Sequence, residues 1–79
     1  MAHFYFHLHN GNGWTRDQEG QDFVDVRTAE HQAEREARAL VGADIAAGLP
    51  VLLNSFIAVH DEGDTEVARV SFSQVARLA

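Results

Sequence analysis

Phe4-Tyr5-Phe6-His7-Leu8-His9 is the stretch on which the reading of this chain turns. Phe4, Phe6 and Leu8 fall on one side of a period of two, and Tyr5, His7 and His9 fall on the other. That alternation belongs to a β-strand with an apolar inner face and a semi-polar outer one. Aromatic side chains suit a pleated surface, which strengthens the assignment. Asn10-Gly11-Asn12-Gly13 follows, and Asn-Gly pairs supply the positive φ that tight hairpin turns need. Trp14-Thr15-Arg16 is then expected to return beside the first strand, before a second turn at Asp17-Gln18-Glu19-Gly20. Gln21-Asp22-Phe23-Val24 reads as a short extended lead-in.

Asp25 is a good helix N-cap, because its carboxylate can accept from free N–H groups of the first turn; Thr28 is a rival start. From there to Ala47 the chain reads as helix. Val26, Ala29, Ala33, Ala37, Leu40, Val41 and Ile45 recur at steps of three and four, an amphipathic stripe that must be buried on something. Gly48 suits the position after the last turn, and Pro50 stops continuation. A strand is expected within Val51–His60, strongest over Ser55–Val59. A turn at Asp61-Glu62-Gly63-Asp64 leads to a last strand over Glu66–Ser73, and Gln74–Ala79 either frays or forms one helical turn. The economical arrangement is one α+β domain over residues 1–79, in the order β-β-α-β-β. It has two layers, a three- to four-stranded antiparallel sheet with one long helix packed on one face.

Composition narrows the function classes. There is no cysteine, which removes disulfides, thiolate metal sites and Cys nucleophiles. A chain of 79 residues buries a thin core, so support from a partner subunit or from good packing is expected. The formal charge is −6, there is no lysine, and six arginines are scattered singly. Nucleic-acid backbones demand a concentrated basic face, so no nucleic-acid partner is expected. No apolar run approaches the roughly 18 residues that cross a bilayer, so no membrane partner is expected. Met1-Ala2-His3-Phe4 lacks the features of a signal peptide, and a cytoplasmic location is the expectation.

The candidate chemistry is sparse. His7-x-His9 places two imidazoles on one side of a strand, where they could share Zn²⁺ or Ni²⁺ with His60 or a neighbouring carboxylate. His3 shares their parity. The competing reading makes them half-exposed residues on a solvated sheet face. Asp17, Glu19, Asp22 and Asp25 lack the spacing of a calcium loop and read as turn and cap carboxylates, as do Asp61, Glu62 and Asp64. Ser55, Ser71, His60 and Asp61 could be assembled into a triad only on paper, since no nucleophile-elbow pattern accompanies them. Gly11-x-Gly13 lacks the third glycine and following helix of a nucleotide loop, and no cofactor is expected. Tyr5, Trp14 and Phe56 could form an apolar patch on the uncovered sheet face.

Taken as a whole, these residues resemble a family of short, mostly alphaproteobacterial proteins catalogued as a domain of unknown function. The likeness lies in Phe4–Leu8, in the Asp17–Gly20 turn, in the Ala-rich helix from Asp25 through Ala37, and in the closing hairpin of Ile57–Gly63 with Val70–Phe72. It implies this fold and no catalytic residue. The functional expectation is a non-catalytic protein-interaction or regulatory module. It would self-associate, as a dimer, through the open sheet face or an edge strand. The alternative is a metal- or small-ligand-binding domain using the His-bearing face. An enzyme is the least favoured class, because one helix on a small sheet leaves little room for a pocket.

Overall fold

The computed structural model describes residues 1–76. Its order is β1 (Ala2–His9), β2 (Trp14–Thr15), β3 (Gln21–Phe23), α1 (Val26–Ala46), β4 (Phe56–His60), β5 (Glu66–Ser71) and α2 (Phe72–Val75). The sheet is antiparallel and five-stranded, running β2-β1-β4-β5, with β3 also on β1. The expected α+β arrangement is therefore present, with one strand more than expected. The lead-in at Gln21–Phe23 pairs with Ala2–Phe4, whereas Trp14–Thr15 pairs with Leu8–His9. β1 thus has two short partners at its two ends, and Phe6 lies between them.

The core forms where α1 crosses the sheet. Phe4, Ile57, Val59, Val70 and Phe72 are buried against Ala29, Ala33, Ala37 and Val41. The three alanines are fully buried at four-residue spacing, so the helix backbone approaches the strands closely. The expected apolar stripe is longer than the buried one. Val26, Leu40 and Ile45 are 38%, 41% and 65% exposed. Length explains the difference: a helix of 21 residues is about 31 Å long. β4 and β5 have five and six residues, which span only about 17–20 Å. Val41 is the last residue of the helix to be buried, and the turn beyond it adds nothing to the core.

Both helix starts are set by side chains. Asp25 caps α1, its Oδ1 accepting from the Thr28 N–H at 2.8 Å and from the Thr28 hydroxyl at 2.7 Å. Asp25→Ala is expected to destabilise the fold by about 1 kcal/mol in urea unfolding, with Asp25→Asn milder. The last strand stops at Ser71, two residues short of the expected end. Ser71 and Gln74 form a reciprocal capping box that opens α2. The Ser-x-x-Gln spacing is a helix-start signature that outweighs strand alternation here. Of the expected C-terminal turn, residues 77–79 lie outside the described residues.

Candidate functional site

The outer sheet face is not an open solvated surface. His7 is only 4% exposed, because the segment Arg16–Gln18 folds over it. The Asp17 N–H donates to His7 Nδ1 at 3.0 Å. The Asp17 carboxylate turns back to the strand: Oδ2 accepts from the Phe6 N–H at 3.0 Å. Oδ1 accepts from the N–H groups of Glu19 and Gly20 at 3.2 and 3.1 Å. Asp17 therefore fills the gap that β2 and β3 leave on β1. Burial pushes its carboxyl upward, but the N–H groups of Phe6, Gly20 and Glu19 outweigh that and hold it below the ordinary carboxylate value.

His7 and His9 do not meet in one site. His9 stacks on Phe56 with centroids 5.0 Å apart, meets Trp14 edge-on at 4.7 Å, and accepts the Gly11 N–H on Nδ1. Arg69 closes this ladder, its Cζ 3.9 Å from the Phe56 ring centroid. His7 instead lies edge-on to His60, with centroids 4.6 Å apart. His60 Nδ1 is 2.9 Å from Asp64 Oδ1. His7, His60 and Asp64 bring one potential ligand atom each to within 4.8 Å of one another. Asp64 adopts φ 62° at the β4–β5 turn, and Arg16 approaches the same carboxylate at 3.5 Å.

The hydrogen-bond polarity decides what His7 can do. A neutral ring whose Nδ1 accepts an N–H carries its proton on Nε2, so His7 presents a donor. Metal ligation through Nε2 would move that proton to Nδ1, where it would face the Asp17 N–H. Metal-bound histidines ordinarily donate from the other ring nitrogen to an acceptor, the reverse of this arrangement. The cluster therefore fits a hydrogen-bonding role better than a metal centre. Beside it lies an open cleft of about 240 Å³, lined by Tyr5, His7, Arg16, Asp17, Glu62 and Asp64 among others.

The remaining candidates are committed to structure. Asp61 Oδ1 accepts from the N–H groups of Gly63 and Thr65 rather than orienting His60. The Ser71 hydroxyl caps α2. Ser55 is buried, and its carbonyl accepts the Phe72 N–H. Asp22 binds His3 Nδ1 at 2.6 Å, and the Glu19 carbonyl takes His3 Nε2 at 2.7 Å. Both ring nitrogens of His3 thus face acceptors, which requires the imidazolium.

His3 and His7 respond to pH in opposite directions. The Asp22 carboxylate, then the Glu19 carbonyl, raise the His3 pKa above 6.5. Its contribution to stability is complete below pH 6.5 and is lost as pH rises through the folded value. Burial, then Arg16 and His60, lower the His7 pKa below 6.5. Its contribution is present above pH 6.5 and is lost as pH falls through the folded value. An NMR titration is expected to find His3 titrating above His7; the reverse order contradicts the assignment.

Sequence reasoning reached His7 and named His60 as an additional ligand, but missed the pairing of His60 with Asp64 and the role of Asp17. The available signal was the Asp-x-Glu-Gly turn, which sequence cannot by itself place against Phe6. Among the described residues, no helix is long and apolar enough to cross a membrane. Neither a curated protein nor a solved structure matches the chain. Residues 3–73 match the model described as Domain of unknown function (DUF6894). That match takes in nearly all of β1 and every other element as far as the first residues of α2, so the chain belongs to this family.

Proposed function

We propose that the protein is a non-catalytic protein-interaction module of the bacterial cytoplasm that acts as a self-associated dimer. The observation behind this reading is the uncovered end of the molecule. Leu40, Ile45, Leu49, Leu52 and Leu53 are 41–65% exposed. They belong to the C-terminal end of α1 and the loop that follows it. Large aliphatic side chains gathered in one stretch of a small domain are a common mark of a partner surface. The location differs from the open sheet face or edge strand expected from sequence, where Phe56 packs against His9 and Arg69.

Sedimentation velocity from micromolar to near-millimolar protein tests the reading. The expected result is a concentration-dependent shift from monomer to dimer. A strict monomer across that range overturns it.

A further inference from the structure

Two copies of one chain can meet only where both their shapes and their charges allow it. The chain carries −6 overall, from twelve carboxylates and six arginines. Between Arg38 and Asp61 the only Asp, Glu, Lys or Arg is Asp44, so eleven of the twelve carboxylates lie elsewhere. Contact through other surfaces brings like charges together, which opposes association. The end formed by the last turns of α1 and the α1–β4 loop is nearly free of that repulsion. A partner for it must itself be apolar and uncharged, and a second copy offers such a surface.

This end also carries a groove and, next to it in the chain, an exposed leucine. A groove of about 190 Å³ lies between α1, β1 and α2, lined by Leu8, Leu40, Leu52 and Phe72, with Ser55 and Asp44 also at its wall. Immediately along the chain from Leu52, Leu53 is 54% exposed. A two-fold interface uses the same patch on both subunits, so a projecting residue and the groove that takes it must lie side by side. Resting on the self-association reading above, we infer that the dimer is two-fold, with Leu53 of each copy seated in the Leu8–Leu40–Leu52–Phe72 groove of the other. Leu53 supplies the projection, and Leu40 is the groove residue on the helix side. Both are substantially exposed in the single chain, so polar replacements there leave the core untouched.

The test uses two full-length variants and their mixture, with circular dichroism confirming that each is folded. Leu53→Asp and Leu40→Lys are each expected to weaken homodimerisation on the order of a hundredfold, because each replaces an apolar contact side chain with a charged one that must be desolvated on association, the Lys even where Asp44 stands one turn away. Mixed in equal amounts, they should dimerise again. One contact then pairs Asp with Lys, and the other keeps the native Leu53 and groove. Sedimentation velocity reads both effects. If each single variant dimerises like the wild type, this surface is wrong while self-association stands. If both are monomeric and the mixture stays monomeric, the reciprocal seating is overturned. If the wild type itself is monomeric throughout, the underlying reading falls first.

Discussion

Replacing Gly20 by alanine is expected to be strongly destabilising, costing about 3 kcal/mol or more in urea unfolding. Two effects coincide there. Gly20 has φ 70°, a backbone region that side chains with a Cβ occupy only under strain. An added Cβ would also lie 2.6 Å from the Phe4 carbonyl oxygen and 2.6 Å from His3 Nε2. The His3 ring could swing away, though it would lose its bonds to Asp22 and Glu19. The Phe4 carbonyl cannot move freely, since Phe4 is paired with Gln21 and its side chain is in the core. Relief therefore requires β3 to separate from β1. Two other glycines calibrate the effect. Gly48 has φ 72° but open space around its missing Cβ, so Gly48→Ala should cost only the conformational penalty, about 1 kcal/mol. Gly42 lies exposed within α1 with nothing nearby, and Gly42→Ala should stabilise by about 0.5–1 kcal/mol. A Gly20→Ala variant no less stable than Gly48→Ala would contradict the close approach.

What could be read from sequence divides along the range of the interactions. β1 and α1 were legible because periodicity and the Asp25 cap act over a few residues. The end of the last strand was misplaced because Ser71 and Gln74, themselves local, favour a helix where alternation favoured continuation. The buried part of α1 was overestimated at Leu40 and Ile45, since periodicity reports a face and says nothing about how far the sheet extends beneath it. The site was less legible. His7 and His9 share strand parity, which correctly puts them on one face. Their surroundings depend on distant segments, Asp17 and His60 for one and Trp14 and Phe56 for the other. Parity cannot reveal that Arg16–Gln18 covers the first ring, or that a backbone N–H fixes its proton on Nε2.

Asp17→Ala is expected to destabilise the protein by about 3 kcal/mol, a larger loss than removal of the Asp25 cap. The Asp17 carboxylate accepts three backbone N–H groups, and hydrogen bonds to a charged group contribute about 1.5–3 kcal/mol each before solvent exposure reduces them. The bond to Phe6 matters most. Phe6 sits between the part of β1 paired to β3 and the part paired to β2. Its N–H has no strand partner there, and without Asp17 it is left part-buried and unmet. Hydrogen exchange at the Phe6 amide should accelerate accordingly. Asp17→Asn keeps an acceptor oxygen but loses the charge, so its loss should be intermediate. The pH dependence separates the charge from the shape. The folded carboxyl titrates below its ordinary 3.8, so its contribution is present above pH 3.8 and disappears as pH falls through the folded value. Wild type and Asp17→Asn should therefore converge in strongly acid solution and diverge as pH rises. A constant difference between them at all pH values would mean that the segment is held by shape alone. Asp17 also aims its own N–H at His7, so loss of its carboxylate should loosen that bond as well. One residue in a surface turn thereby closes the edge of β1 and fixes the donor that faces the cleft.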